Sequence, residues 1–341
     1  MNLAQIGEFG LIERLQSQLQ KRAGTQLGIG DDCAVLESLQ TPIVTMDALI
    51  EGVHFRRDWT SPRALGRKAM AVNLSDLASS GARPVAAFVS LALGPRDDFE
   101  FITELYAGFE DAAREHHFTV AGGDTTKSRG DLMISIALVG EVLNHKRGPV
   151  LRSGAQAGDV LLVSGNLGDA AAGFQILQAE KDEIAAIPAP ARDYLLLRHH
   201  QPSPRLALMK QLLEFDASAI HAALDLSDGL VGDAAHLAQS SDLVAQFDAE
   251  KVPISFFCRQ CCEILGCNVL DLALSGGEDY EILLAVAPQK AQILVEEFRG
   301  KSVFLSAIGV CLTPDLSGNQ ARVAVRENGE VRQVGRAWTH F

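Results

Sequence analysis

Aspartates recur along this chain where a glycine turn or an apolar run ends. Gly28-Ile29-Gly30 leads directly into Asp31-Asp32, and Asp47, Asp76, Asp124, Asp225 and Asp228 stand beside glycines or at the edges of apolar segments. Adjacent carboxylates repel unless something positive lies near them, and glycine permits positive φ and close backbone approach. A cation is the simplest shared partner, so these distant segments are expected to converge on one divalent-metal site. Aspartate also caps helices and tolerates left-handed backbone, which explains any single position. The repetition favours the metal.

A chain of 341 residues exceeds one ordinary domain of roughly 150 residues and predicts two. The polar, proline-marked break Asn144-His145-Lys146-Arg147-Gly148-Pro149 places the boundary, giving residues 1–148 as an N-terminal α/β domain and 149–341 as a C-terminal α/β domain with a tail. Hydrophobic residues make up 47% of the chain, enough for two cores. The net charge of -13 argues against an extended nucleic-acid or anionic-membrane surface, because either requires a basic field. Any bound phosphates would then need metal ions to neutralise them. The first residues lack a basic segment followed by an apolar one, and no apolar run reaches spanning length, so a soluble cytoplasmic protein is expected. Cys258, Cys261, Cys262 and Cys267 include a C-x-x-C spacing, but with Phe257 and Leu265 they follow helical i, i+3, i+4 spacing, and the reading preferred over zinc is a buried helix.

Along the chain, residues 8–21 read as an amphipathic helix, Ala34-Val35-Leu36 as a strand, and residues 42–47 as a strand that delivers Asp47 at its end. Ser61-Pro62 starts a helix that Gly81 stops, and Leu65, Ala69, Val72 and Asp76 share one stripe of it. A carboxylate on an apolar stripe needs a metal or a cation, with Arg67 or Lys68 as the ion-pair alternative. Residues 85–93 form a strand, 99–117 a helix, and 118–121 a strand ending in Gly122-Gly123-Asp124, where bare backbone can approach an anion. A strand over 132–143 closes this half. Beyond the break, the turn Gly165-Asn166-Leu167-Gly168 lacks the lysine of a P-loop and reads equally as a phosphate-binding helix start or a plain turn. Ser203-Pro204 starts a helix, a strand at 220–224 feeds Asp225-Leu226-Ser227-Asp228-Gly229, and Ser275-Gly276-Gly277-Glu278-Asp279-Tyr280-Glu281 reads as a further site loop. Asn328-Gly329 marks a hairpin.

The inventory contains no plausible Ser-His-Asp set, dinucleotide fingerprint or protein-kinase signature. Many carboxylates and several glycine-rich turns suit Mg²⁺ and a polyphosphate, because hard oxygen ligands select Mg²⁺ and phosphate oxygens complete its octahedron. The residues alone therefore point to metal-dependent phosphoryl transfer.

Taken together, Gly28-Ile29-Gly30-Asp31-Asp32, Ala71-Val72-Asn73-Leu74-Ser75-Asp76-Leu77-Ala78, Gly122-Gly123-Asp124-Thr125, Arg152-Ser153-Gly154-Ala155, Asp225-Leu226-Ser227-Asp228-Gly229-Leu230 and residues 275–281 resemble the thiamine-monophosphate kinase family of the aminoimidazole ribonucleotide synthetase superfamily. The resemblance spans almost the whole chain. It implies a two-domain aminoimidazole ribonucleotide synthetase-like α/β fold, its N-terminal sheet pairing with a twin across a homodimer axis. It also implies ATP-dependent conversion of thiamine monophosphate to thiamine diphosphate with several Mg²⁺ ions. Carried over by motif, Asp32, Thr45, Asp47, Asp76, Asp124, Asp225 and Asp228 would hold the metals, with Asp32 and Asp76 central to the metal-assisted chemistry. Tyr106, Gly123, Asp124, Arg152 and Ser227 would bind ATP, and His54, Glu278 and Trp338 would bind the thiamine substrate. Met46 occupies a position where the family often has a hydroxyl residue.

No dedicated base is needed on this reading. The second pKa of a phosphate monoester is near 6, so the acceptor oxygen is largely ionised at neutral pH and attacks the γ-phosphorus in line. Two competing readings remain: a sister activity in which ATP activates an amide, thiocarboxamide or selenide, and a noncatalytic nucleotide- or metal-binding protein.

Overall fold

The computed structural model describes residues 3–29, 33–314 and 322–332. The chain divides into two compact units, one from residues 1–77 and 82–148, the other from 78–81 and 149–341.

In the N-terminal unit, helix α1 (Leu3–Gln16) precedes a small antiparallel pair, β1 (Thr25–Leu27) and β2 (Val35–Leu36). The helix ends earlier than the apolar spacing to residue 21 predicts. The Ser17 hydroxyl donates back to the Arg14 carbonyl at 2.6 Å, and the next amides make three-residue rather than four-residue bonds, which tightens and terminates the helix. The chain then forms β3 (Pro42–Ile50), α2 (Pro62–Ser79), β4 (Ala82–Leu93), α3 (Phe99–His116), β5 (Thr119–Lys127) and β6 (Met133–Val142). The four longer strands make one sheet in the order β3-β6-β4-β5, with only β4 and β5 parallel.

Capping fixes the helix starts. The Ser61 hydroxyl accepts from the Ala64 amide at 3.2 Å, and the Asp98 carboxylate accepts from the Phe101 amide at 2.8 Å. The two helices cross almost backbone to backbone. A Cβ on Gly66 would lie 2.2 Å from the Leu105 carbonyl oxygen, and one on Gly108 would lie 2.2 Å from that of Arg63. Helix α2 lies over β6 and β3, since Leu77 fills the space beside Gly140 and Asp76 meets Thr45. Strand period then assigns the faces of β3. Ile43, Thr45, Asp47 and Leu49 look toward the helices, while Val44 and Met46 on the other face are each 67% exposed.

Strand β3 runs on to Ile50, paired with β6 as far as Met133, so Asp47 sits within the strand and not at its end. Strand β5 likewise continues through the glycine pair to Lys127, and Gly123 lies opposite Val89 of β4. A Cβ there would be 1.9 Å from the Val89 carbonyl oxygen. The glycine is needed for this close approach between strands, which a sequence pattern cannot distinguish from a turn.

The C-terminal unit runs β7 (Val160–Ser164), α4 (Asp169–Gln178), α5 (Lys181–Ala186), α6 (Ala189–His200), α7 (Leu206–Asp216), β8 (Ile220–Asp225), α8 (Leu230–Ser240) and β9 (Val244–Asp248). It continues with α9 (Phe256–Leu265), α10 (Val269–Ser275), β10 (Ile282–Val286), α11 (Pro288–Glu297), β11 (Leu305–Leu312), β12 (Val323–Glu327) and β13 (Glu330–Arg332). Its seven strands follow the order β13-β12-β9-β11-β7-β10-β8. Strand β10 lies between β7 and β8 and buries all its side chains, which is why it reads as an unbroken apolar run. Phe247, Leu283, Ala234 and Leu274 belong to the main core, and a second cluster joins α4, α6 and α9. Cys258, Cys261 and Cys262 form the inner face of α9, which supports the buried-helix reading. Helix α7 starts at Leu206, past Ser203-Pro204, with Arg205 as its N-cap. Asn328 and Gly329 adopt φ of 52° and 84°, as a two-residue type I′ hairpin requires.

Candidate active site

The N-terminal unit brings together three of the expected metal-ligating side chains. Thr45 and Asp47 are successive helix-facing residues of β3, and Asp76 descends on them from α2. The Thr45 hydroxyl donates to Asp76 Oδ2. Asp47 also shares a hydrogen bond with Asp76, and its pKa is pushed up to about 6, first by burial and then by the neighbouring carboxylate. Its Oδ2 is buried without a hydrogen-bond partner. A buried carboxylate oxygen with no donor and a second carboxylate beside it is a cost that a hard cation removes. The donor set therefore fits Mg²⁺. Arg67, the ion-pair alternative for Asp76, instead reaches Glu115. Asp124 stands opposite Ser90 in the parallel register of β4 and β5 and is exposed. Among the described residues no group of three or more His, Cys, Asp or Glu side chains gathers as a metal cluster. Asp32 lies outside the described residues, as does Trp338.

His54 follows β3 in a tight turn, and its Nδ1 accepts from the Ile50 amide at 3.1 Å, which leaves the ring proton on Nε2. An ionic network that the sequence reading did not find anchors this turn. Buried Glu51 binds Arg57 at 3.0 Å and Arg96 at 2.9 Å, and Arg57 also reaches buried Asp97. Sequence spacing gives no signal for it, because the partners lie up to 45 residues apart. Tyr106 is on the buried side of α3, edge-on to Phe109 at 5.1 Å, and burial pushes its hydroxyl up to about 12.

In the C-terminal unit the two expected site loops are stitched together by backbone. The Glu278 amide donates to the Ser227 carbonyl at 2.7 Å, the Tyr280 amide to Leu226 at 2.9 Å, and the Leu226 amide to Glu281 at 2.8 Å. Asp233, which the sequence reading passed over, accepts from the Ser227 and Asp228 amides at 2.9 and 3.0 Å. Burial pushes it up to about 7 against those bonds. It thereby shapes the loop that carries Asp225, Ser227 and Asp228. Arg152 is exposed, on a segment pinned to β8 by the Ala223 amide donating to the Leu151 carbonyl at 2.9 Å.

The three acidic residues at 278–281 divide by role. The Asp279 carboxylate is buried and accepts from the Gly168 and Ala170 amides at 2.8 and 3.3 Å, so a protein carboxylate already occupies the start of α4. This settles the turn at 165–168 as structural. Fully buried Glu281 is paired with Arg198 and Arg205 and takes a bond from the Ser164 hydroxyl at 2.6 Å. Glu278 keeps 30% of its side chain exposed, with Oε2 in contact with the buried His199 ring.

Residues 30–142 match the family described as AIR synthase related protein, N-terminal domain, and residues 156–315 match its C-terminal domain. A thiamine-monophosphate kinase of Aquifex aeolicus (strain VF5) is 38% identical over 284 residues, 83% of this chain and 87% of the relative. One from Escherichia coli (strain K12) is 36% identical over 338 residues, covering 98% of both chains. The chain belongs to the thiamine-monophosphate kinase family. Its fold is accordingly that of two AIR synthase-like domains. The solved structure of AaThiL complexed with AMPPCP and TMP superposes with a TM-score of 0.75 at 33% identity, covering 100% of this chain and 99% of that one. Among the described residues no helix is long and apolar enough to cross a membrane.

Proposed function

We propose that this chain is a phosphotransferase that uses ATP to convert thiamine monophosphate to thiamine diphosphate, with a phosphate group as acceptor. The observation that carries the reading is the Asp47–Asp76 carboxylate pair with its unbonded buried oxygen, in a chain that matches kinases of that name over nearly its full length. An oxygen of the substrate phosphate attacks the γ-phosphorus in line, the bond to the β-bridging oxygen breaks, and ADP leaves. The attacking oxygen is already ionised at neutral pH, so the protein supplies position and charge compensation, not a base.

Asp32, Thr45, Asp47, Asp76, Asp124, Asp225 and Asp228 would hold several Mg²⁺ ions. Bound there, Mg²⁺ supplies charge neutralisation between two polyanions and a fixed geometry for transfer. Tyr106, Gly123, Asp124, Arg152 and Ser227 bind ATP. His54, Glu278 and Trp338 bind the thiamine moiety. Residues 1–148 act as the ATP- and Mg²⁺-binding domain, and residues 149–341 complete the enzyme. The exposed apolar face of β3, carrying Val44 and Met46, favours a homodimer in which the N-terminal sheets meet.

The test is direct. Purified protein with ATP, Mg²⁺ and thiamine monophosphate should release ADP and thiamine diphosphate in equal amounts. Absence of thiamine diphosphate under single-turnover conditions refutes the activity, and a monomer by light scattering refutes the assembly.

A further inference from the structure

Glu278 is held in an unusual way. Its backbone is left-handed at φ 60°, as is that of Tyr280 at φ 50°, a conformation that residues with a Cβ adopt at a cost. Its amide is tied to Ser227, and its neighbour Asp279 is tied to the start of α4, so the main chain that carries the side chain is fixed. From it Glu278 Oε2 meets His199 Nδ1 at 3.1 Å. The two atoms are in contact without a well-formed hydrogen bond between them.

His199 is itself immobilised. It is 6% exposed on α6, its ring lies 5.7 Å from that of Phe174 and 5.3 Å from that of His200, and its Cβ packs where a Cβ on Gly173 would come within 2.9 Å. His199 is thus held with Nδ1 beside a carboxylate that keeps 30% of its side chain exposed.

We propose that His199 is a positioning residue for substrate recognition, which fixes the Glu278 carboxylate against the cationic, amine-bearing ring system of thiamine monophosphate. This rests on the reading that Glu278 contacts that substrate. The juxtaposition of a buried imidazole nitrogen and a partly exposed carboxylate on a left-handed backbone carries it. A thiazolium cation and an aromatic amine both favour a carboxylate held in one orientation, because the entropy of ordering it is then spent at folding and not at binding.

The experiment compares His199→Phe, Glu278→Gln and the double variant by steady-state kinetics, with thermal melts as a fold check. His199→Phe should raise KM for thiamine monophosphate by about tenfold, the scale of a lost charge-assisted contact, with kcat and KM for ATP within about twofold. The double variant should be no worse than Glu278→Gln alone. An unchanged KM in His199→Phe, with a raised one in Glu278→Gln, overturns the role of His199 and leaves the substrate reading standing. An unchanged KM in Glu278→Gln overturns both. Additive effects also overturn the proposal. Should the phenylalanine variant not fold, the wild-type protein decides: substrate should shift the His199 Cε1–H resonance, Glu278→Gln should abolish that shift, and a resonance indifferent to substrate refutes the proposal.

Discussion

Replacing Asp47 with asparagine should stabilise the metal-free protein, an unusual result for removing a buried charge. Burial and Asp76 raise the Asp47 pKa from 3.8 to about 6. The folded state therefore keeps a proton that the unfolded chain has released. Stability is intact below the unfolded pKa and is lost as pH rises from about 4 through about 6, after which the penalty is constant. At about 1.4 kcal/mol per pKa unit the penalty reaches ~3 kcal/mol at pH 8 and about half that at pH 5. The neutral amide of the variant carries no charge and escapes it. Urea unfolding in EDTA should then show Asp47→Asn about 2 to 3 kcal/mol more stable than wild type at pH 8, with the gap narrowing at pH 5. Trp59 lies in the same unit as Asp47, so tryptophan emission in a Trp338→Phe background reports that unit. Mg²⁺ should raise the stability of the wild type more than that of the variant. A variant less stable than wild type in EDTA, or an equal response to Mg²⁺ in both, refutes the account of the carboxylate pair as a cation site.

The remaining predictions concern chemistry and packing. Asp76→Asn and Asp32→Asn should each lower turnover by at least about a hundredfold at saturating Mg²⁺ while circular dichroism stays native, because a neutral amide is a poor hard-cation ligand. The acid limb of the rate should follow the second ionisation of the substrate phosphate, near 6, and persist in His54→Ala with a raised KM; loss of the limb would make His54 a general base. Glu281→Leu should cost about 3 to 5 kcal/mol in denaturant melts, because it leaves Arg198 and Arg205 facing each other without their shared buried carboxylate. A smaller loss would mean that the arginines reach water.

The sequence alone was enough for most elements and for the recurring acid-and-glycine motifs that place the chain in its family. These signals are local: capping residues, apolar period and the conformational licence of glycine act within a few residues, so they are written where they operate. It could not say which acidic residue faces what. Glu278, Asp279 and Glu281 look alike as letters, yet one stays partly exposed beside His199, one holds the start of α4 and one binds two arginines from α6 and its neighbour. Nor did it reveal that Gly123 makes room for the Val89 carbonyl, or that Asp47 lies mid-strand with one oxygen unbonded. The role of a carboxylate depends on the donors and charges within a few ångströms, and those come from segments tens to more than a hundred residues away. Only folding brings them within range.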